Sequence, residues 1–364
     1  MEHYERPMPV AKKFITPGVI VLLLLAANGL VFLAGRFLFG IGAVTNLNNQ
    51  YPWGLWIGVD VAAGVALAAG GFTTAALGHV MHREQYHAVV RPALLTAMLG
   101  YTMVAVGVCI DIGRYYYIWH PLIMWNGSSA LFEVGICVMI YMTVLYIEFL
   151  PVVTERFMGR VLLPGILARF NAIIDRLLHW MDRTLSKTMF LFIIAGVVLS
   201  TLHQSSLGTL MVIAGPKMHP LWQTPILPLL FLLSAVSVGF PMVIMESLLA
   251  ARSFGFKPEM RVFGIVIPMR MFLSPAVQKS PPLLFTAATL VVGGVLLNRV
   301  DNFVVAYTPP YAMGGYIPSI GEVSVTVGFI SILVLLYRAV VIIFPVISQP
   351  DRAMSPKSKY SVRG

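Results

Sequence analysis

The sequence predicts an all-α integral membrane protein that crosses the bilayer about eight times, with both termini in the cytoplasm. Hydrophobic residues make up 58% of its 364 residues and charged residues 11%, whereas soluble domains carry about 25% charged residues. Apolar runs recur that are long enough to cross the hydrocarbon core, which takes a helix of about 20 residues. The basic residues concentrate between alternate runs, which indicates the orientation.

The apolar runs set the predicted spans and the division of the chain. The first run is too long for the core of a signal peptide, and no cleavage site of small residues follows it. The predicted spans lie near 17–39, 54–81, 89–111, 127–150, 188–213, 224–250, 283–298 and 322–345. The predicted divisions are a cytoplasmic N-terminal tail (1–16), a first four-helix bundle (17–150), a basic cytoplasmic linker (151–187), a second bundle (188–345) with a shortened segment at 251–282, and a basic, disordered C-terminal tail (346–364).

The distribution of basic residues predicts the sidedness. With the N-terminus inside, all but four of the 25 Lys and Arg residues fall on the cytoplasmic side, and the four exceptions are Arg36, Arg114, Lys217 and Arg299. This agrees with the positive-inside rule. The net charge of +10 is therefore assigned to topology and to lipid headgroups rather than to a nucleic-acid partner. The predicted location is the bacterial inner membrane.

The loops predicted to lie outside are rich in aromatic residues, Pro and Gly. They read NLNNQYPWGLW, GRYYYIWHPLIMWNGSS, GPKMHPLWQTP and AYTPPYAMGGYIPS. Trp and Tyr collect at membrane interfaces, so an aromatic belt explains them. Shaped loops that dock a partner explain them equally well, and both interpretations stay open.

Ionisable residues inside the spans are the most informative feature of the sequence. Each costs about 3 kcal/mol or more in hydrocarbon, so it persists only if it pairs, faces a wet cavity or serves a function. The residues concerned are Asp60, Asp111, Glu133, Glu148, Glu246 and His203.

Helix direction places these residues at two levels. Asp60, Asp111, Glu133 and His203 are expected in one outer polar cluster, whereas Glu148 and Glu246 are expected near the inner ends of their helices.

A quinone pocket with a proton route to the inside suits this pattern, because quinone reduction consumes two protons. In the competing structural interpretation, Asp111 pairs with Arg114 three residues later, and Asp60 and Glu133 bond to Ser, Asn or backbone groups. Glu148 and Glu246 could also snorkel to the interface.

The sequence predicts no metal site, haem or iron–sulfur cluster in this chain. Cys109 and Cys137 are its two cysteines, too few for a cysteine-ligated cluster. A membrane b-type haem usually needs two facing axial histidines, and His203 alone lies deep in a span. The other candidates are His79 and His82 at an inner helix end and His120 and His219 in outer loops.

Several segments resemble a known family. They are YPWGLWIGVD, VRPALLTAMLGY, DIGRYYY, LFEVGICVMIYM, TLHQSSLGTLMV and YAMGGYIPS. Together they resemble the HybB-type membrane subunit of hydrogenase-2 complexes, within the NrfD/polysulfide-reductase (PsrC-like) superfamily, over residues 15–345.

The resemblance implies a quinone-reactive subunit that exchanges electrons with a ferredoxin-like periplasmic iron–sulfur subunit, fed by the small and large subunits of a Ni-Fe hydrogenase. Menaquinone or ubiquinone is the implied substrate. The residues to which the resemblance applies are Asp60, Asp111, Arg114, Glu133, Glu148 and His203. Together with the pattern of ionisable residues, it predicts a quinone site of Glu133, His203, Asp111, Arg114 and Asp60, with Tyr115 or Tyr116 as a hydrogen-bond donor. Glu148 and Glu246 are the predicted proton pathway.

The chain departs from this family in length. The hydrogenase-linked branch resembles a ten-helix protein, whereas about eight spans are predicted here. Within 251–282 the apolar stretch VFGIVIPMRMFL has about 12 residues, too few to span the bilayer. Two helices are expected to be lost or shortened here.

Two other functions fit the intramembrane acids. A secondary transporter or proton channel would need them without redox chemistry. A passive anchor would hold a redox complex at the membrane, although anchors have little use for costly buried acids.

Overall fold

The computed structural model describes residues 7–76, 78, 87–255, 277, 280–310, 312 and 314–348, apart from the side chains of residues 87, 88 and 166. Eight helices within these residues are long and apolar enough to cross a membrane. We label them α1 Pro17–Phe39, α2 Trp56–Ala75, α3 His87–Asp111, α4 Ala130–Phe157, α5 Asn171–Ile213, α6 Leu227–Phe254, α7 Pro281–Val305 and α8 Ile320–Ile343. The prediction of an all-α protein with about eight membrane-spanning helices is confirmed.

Two helices continue into the segment predicted as a linker. Helix α4 extends to Phe157, and α5 has 43 residues, or about 65 Å of helix against about 40–45 Å of bilayer with its headgroups. Hydrogen bonds join the two extensions: Thr154 Oγ1 donates to Asp182 at 3.4 Å, and the Gly159 amide donates to Asp175 at 2.7 Å. The stretch VFGIVIPMRMFL lies outside the described residues.

Helix α2 is the central helix of the bundle. Within its most apolar stretch of 18 residues, 72% of the residues are buried. Helix α2 packs against α3, α5, α6, α7 and α8. Small residues of α2 permit its close approach to α6, since a Cβ atom on Gly70 would lie 2.8 Å from the Gly239 carbonyl oxygen of α6. Helix α1, by contrast, is 17% buried and packs mainly on α8.

Helix α2 is irregular, and this irregularity frees a carbonyl in the middle of the bundle. Residues 56–63 form π-helical turns. Farther along, the Ala69 amide bonds to the Ala66 carbonyl instead of the Val65 carbonyl. A buried carbonyl needs a donor, and Gln204 Nε2 of α5 donates to the Val65 oxygen at 2.7 Å.

Both ends of the described chain lie at one face of the bundle. The Met8 amide donates to Ile347 at 3.3 Å, and the Val10 amide donates to Val341 at 3.2 Å. We call this the termini face. The opposite face, the aromatic face, is formed by the loops 40–55, 112–129 and 214–226 and by the described residues of 306–319.

Candidate functional site

A continuous row of polar residues lies between α4 and α5. Helical spacing puts residues 133, 137, 141 and 148 on one face of α4. The facing residues of α5 recur every three or four positions. The polar seam, as we name it, comprises Glu133, Cys137, Tyr141 and Glu148 of α4; Gly196, Ser200, His203, Gln204 and Ser206 of α5; and Tyr101 of α3.

Glu133 lies at the end of the seam that faces the aromatic face. Its side chain is in the first turn of α4 and is exposed on the bundle surface. Its carboxylate also reaches inward, because buried Ser206 donates a hydrogen bond to Glu133 Oε1 at 2.7 Å. His203 lies one helical turn from Ser206 and is fully buried. Glu133 and His203 therefore belong to the same helix–helix contact, as the sequence predicts.

The middle of the seam is formed by buried side chains with unused hydrogen-bonding atoms. The Tyr101 and Tyr141 rings meet edge to face at 4.5 Å, and the Tyr101 ring lies 5.7 Å from the His203 ring. All three side chains are at most 1% exposed. The atoms without a protein partner are Tyr101 Oη, Tyr141 Oη, Ser200 Oγ, His203 Nδ1 and Nε2, and Gln204 Oε1.

These unused atoms identify the seam as a polar compartment inside an apolar bundle. Buried polar groups normally hydrogen-bond, because an unpaired one costs about 1–3 kcal/mol. Here both donors and acceptors are represented, and the rings of Tyr101, Tyr141 and His203, from three helices, lie next to one another. Such an arrangement can bind water or the polar head of a ligand and can pass protons among them.

Glu148 lies toward the other end of the seam, 15 residues from Glu133, or about 22 Å along α4. Its Oε1 atom is buried without a protein partner. Gly196 provides its space, since a Cβ atom there would lie 2.6 Å from Glu148 Oε1. Tyr141 is roughly midway between the two carboxylates.

Asp60 and Asp111 belong to a second polar cluster, on the other side of α3. Thr326 of α8 donates to Asp60 Oδ2 at 2.7 Å. Asp111 lies within electrostatic range of Arg36, Glu322 and Asp60. The predicted outer polar cluster is therefore two clusters, because α3 lies between α8 on one side and α4 on the other.

The structural interpretation that pairs Asp111 with Arg114 is wrong. Arg114 is exposed, and the ion pairs among the described residues do not include it. The cation near Asp111 is Arg36 of α1, which is 2% exposed. Arg36 uses Nε and Nη2 to bind the carbonyls of Ile110 and Ile112 at 2.7 and 2.6 Å, which satisfies the C-terminal end of α3.

Glu322 is a buried acid that the sequence reasoning missed because it begins the last predicted span. It forms a capping box with Ser319 at the start of α8. Its carboxylate also accepts bonds from the Asn46 amide and the Tyr316 hydroxyl. Burial, reinforced by the bond to Glu322, raises the pKa of the Tyr316 hydroxyl above its usual range. Glu322 thereby joins the loop 40–55 to α8.

Tyr115 and Tyr116 lie on the aromatic face and are 40% and 56% exposed. The Tyr115 ring stacks edge-on against Phe37 at 4.9 Å and lies near Arg36. The structure thus associates Tyr115 with α1 and the second cluster. It does not bring Tyr115 or Tyr116 to His203.

Glu246 lies on α6 and is 8% exposed. It faces Thr96 of α3 and Tyr337 of α8, although neither hydroxyl meets hydrogen-bond geometry with its oxygens. Its position toward the termini face agrees with the predicted inner level. It is separate from the α4–α5 contact that holds Glu148.

Three buried arginines are missing from the predicted site residues, because the charge distribution treats them only as topology determinants. Arg36, Arg299 and Arg338 are 2%, 0% and 8% exposed. Each binds backbone oxygens; Arg299 Nη2 donates to the Phe231 carbonyl at 3.1 Å and to Ser234 Oγ at 2.8 Å. A basic residue within two turns of a predicted helix end is the sequence signal that could have identified them.

The described residues do not fit a bis-histidine haem. Among the described side chains, His203 is the buried imidazole, whereas His120 is partly exposed and His179 and His219 are exposed. His79, His82 and the side chain of His87 lie outside what the structure describes. A group of three or more His, Cys, Asp or Glu side chains suited to a metal is also absent from the described part of the chain.

Comparison with known proteins gives a consistent family assignment. Residues 43–272 match the family model for polysulphide reductase, NrfD. A protein of Nitratidesulfovibrio vulgaris is 44% identical over 240 residues, covering 66% of this chain and 57% of that protein. The chain thus spans just over half of that relative.

Two further relatives have functional names. The probable Ni/Fe-hydrogenase 2 b-type cytochrome subunit of Escherichia coli is 31% identical over 394 aligned residues, covering 94% of this chain and 95% of that protein. The integral membrane subunit of a Nitratidesulfovibrio vulgaris menaquinone reductase is 31% identical over 169 residues, covering 46% and 37%.

The alignment with the Escherichia coli protein has more positions than this chain has residues, so this chain carries gaps relative to it. The family model covers well over half of the chain, and this relative aligns along nearly all of it. The chain therefore belongs to the polysulphide reductase NrfD family.

Proposed function

We propose that this chain is the quinone-reactive membrane subunit of a respiratory oxidoreductase in the bacterial inner membrane. It passes electrons between a periplasmic iron–sulfur protein and menaquinone or ubiquinone. The observation that carries the proposal is the polar seam, in which surface-exposed Glu133 bonds to Ser206 while His203 lies fully buried one turn away.

The seam supplies what quinone chemistry requires of the protein. Reduction of a quinone to a quinol takes two electrons and two protons, and each carbonyl oxygen becomes a hydroxyl. The electrons come from the redox partner. Glu133 can exchange a proton at the lipid-facing end, and His203 with the Tyr101 hydroxyl can orient a carbonyl oxygen. The lipid exposure of Glu133 suits a substrate that diffuses in the bilayer.

The remaining predicted site residues are assigned a peripheral role. Asp60, Asp111, Arg114, Tyr115 and Tyr116 lie on the α1, α3 and α8 side or on the aromatic face. In this proposal they shape the electrostatic field and the loops next to the quinone site. They do not touch the quinone head bound in the seam.

Protons reach the seam from the termini face in this proposal. Glu148 is the carboxylate at the far end of the seam, with Tyr141 between it and Glu133. Glu246, beside Thr96 and Tyr337, provides a second protonatable group toward that face. The basic residues of the termini face favour a cytoplasmic orientation, so the protons would come from the cytoplasm. Uptake from that side would couple the quinone chemistry to proton translocation.

The redox partner is proposed from the family. The relative that aligns along nearly the whole chain is named as a hydrogenase subunit, which favours the small and large subunits of a Ni-Fe hydrogenase and a ferredoxin-like iron–sulfur subunit. These partners would dock on the aromatic face outside residues 115–125, and the predicted orientation puts that face in the periplasm.

Hydrogen-dependent quinone reduction by membranes that carry the intact complex tests the proposal. Glu133→Gln keeps the size and the hydrogen-bond acceptor but removes the proton exchange. We expect at least about a ten-fold loss of turnover, with normal amounts of assembled complex. Glu155→Gln is the control, since Glu155 pairs with Arg91 at 2.7 Å outside the seam.

Other outcomes would select the competing functions. Unchanged turnover in Glu133→Gln would favour a passive anchor and contradict the proposed role of the seam. Proton uptake by vesicles that depends on Glu133 but needs neither quinone nor a reductant would favour a transporter or proton channel.

A further inference from the structure

The segment between α3 and α4 has an unusual composition for a connection at a membrane surface. Helix α3 ends at Asp111 and α4 begins at Ala130, and both helices span the membrane. The segment therefore starts and ends at the bilayer surface. Between Arg114 and Glu133 the sequence contains no Asp, Glu, Lys or Arg. We call Tyr115–Trp125 the aromatic collar.

The aromatic collar exposes nearly all of its large apolar side chains. The most exposed are Trp125 at 78%, Ile123 at 71%, Met124 at 59%, Leu122 at 58% and Tyr116 at 56%. Trp125 Nε1 is bonded within the segment, to the Leu122 carbonyl at 3.0 Å. A contiguous apolar patch of this kind is unfavourable in water and marks contact with lipid or protein.

The collar continues the lipid-facing surface on both sides. At one end, Tyr115 stacks on Phe37 of α1, beside Leu38 and Phe39, which are 75% and 78% exposed on a spanning helix. At the other end, the Trp125 ring lies 6.5 Å from Phe132 of α4, next to Leu131 at 73% exposure.

Other loops of the aromatic face use their aromatic residues differently. The Trp53 and Tyr307 rings lie 4.3 Å apart, and Trp53 Nε1 donates to the Phe303 carbonyl at 2.8 Å. Tyr51 and Tyr307 are 8% and 3% exposed. Tyr51 and Tyr307 are buried and Trp53 is partly buried against the core, whereas the collar leaves its rings and aliphatic side chains uncovered.

We propose that the aromatic collar lies in the phospholipid headgroup and upper acyl-chain layer of the leaflet at the aromatic face. The occupant of this surface is lipid, because the surface is uncharged, continuous with two lipid-facing helices, and rich in the Tyr and Trp side chains that prefer this layer. The inference is independent of the quinone chemistry.

Fluorescence quenching of the full-length protein in phospholipid nanodiscs tests this proposal. The emission of Trp125 is obtained by subtracting the fluorescence of Trp125→Phe from that of the wild type. We expect phosphatidylcholine brominated near the headgroup end of its acyl chains to quench this emission by at least about half, and aqueous iodide to quench it little. Trp119→Phe provides a second reporter in the collar if Trp125→Phe folds poorly.

Trp53→Phe is the matched control, because the Trp53 ring is held by Phe303 and Tyr307 and should be insensitive to the brominated lipid. Quenching of Trp125 by iodide and not by brominated lipid would overturn the proposal in favour of an aqueous loop. Protection of Trp125 from both quenchers in the intact complex, with iodide quenching in the isolated subunit, would overturn it in favour of a protein partner.

Discussion

Gly29 of α1 and Gly328 of α8 meet backbone to backbone: a Cβ atom on either glycine would lie 2.9 Å from the Cα atom of the other. This contact holds a helix that is otherwise mostly exposed to lipid. Helix association in a membrane depends largely on close packing, so small residues at a helix crossing stabilise the contact. Helix α1 also carries Arg36, so its position affects the end of α3.

Gly29→Ile should therefore destabilise the protein. The added side chain cannot be accommodated by a flexible neighbour, because backbone atoms of α8 lie in its path. We expect a loss of about 1–3 kcal/mol in the free energy of unfolding in mixed micelles. Gly294→Ile is the control, since a Cβ atom at Gly294 meets nothing within 4 Å. Equal stability of the two variants would contradict the close-contact argument.

Arg36→Ala should destabilise the protein through the C-terminal end of α3. The substitution leaves the Ile110 and Ile112 carbonyls without their donor, at a cost on the order of 2–4 kcal/mol. The free energy of unfolding measures this directly. Arg114→Ala, which removes an exposed guanidinium four residues from Ile110, should change stability by at most about 0.5 kcal/mol. Similar losses in both variants would argue against the carbonyl contacts.

Tyr141→Phe should lower quinone-linked turnover without lowering stability. The Tyr141 hydroxyl is buried in the seam without a protein partner, so its removal costs no protein–protein hydrogen bond. If it transmits protons between Glu133 and Glu148, turnover should fall about ten-fold.

Tyr307→Phe is the matched control, because the Tyr307 hydroxyl is also buried without a protein partner and lies outside the seam. Its turnover should stay at the wild-type level. A Tyr141→Phe variant with full turnover would remove Tyr141 from the proton route and leave the hydroxyl a packing role.

Arg338→Ala should expose the N-terminal segment to trypsin. Arg338 donates from Nη2 to the Lys13 carbonyl at 2.8 Å and from Nε to the Phe14 carbonyl at 3.0 Å, so the bond after Lys13 is held on both sides. Cleavage there requires local opening, and losing both contacts should accelerate it on the order of ten-fold.

Arg252→Ala provides the control for Arg338→Ala, since Arg252 is exposed near the end of α6. An unchanged cleavage rate in Arg338→Ala would mean that other contacts hold the segment. Cleavage of inside-out vesicles but not of right-side-out vesicles would support the proposed cytoplasmic N-terminus, and the opposite result would reverse the orientation.

The spans were predictable because hydrocarbon thickness sets the length of an apolar helix. The positions at which α4 and α5 end near the termini face were less predictable. The extensions of α4 and α5 contain charged residues that end the hydropathy signal, yet Asp175 and Asp182 bond to Gly159 and Thr154 and keep the helices paired.

The candidate site was partly predictable for a related reason. Glu133, Glu148 and His203 stand out in apolar runs because a charge or imidazole is costly there. Tyr101 and Tyr141 do not stand out in the sequence, because a tyrosine in a hydrophobic run is interpreted as an apolar residue. Arg36 was assigned to the outer side because it lies close to the end of α1.

The sequence by itself determined that this protein is a membrane-spanning helical bundle, that it has about eight spans, and that it carries ionisable groups within them. Each of these follows from the free energy of placing a residue in hydrocarbon, a property of single segments. The tertiary structure decided which of those groups meet: Glu133 with Ser206 and His203 in one seam, and Asp60 with Thr326 in another cluster beyond α3. Hydropathy does not contain this information, because it reports how deep a residue lies and not which neighbouring helix its face contacts.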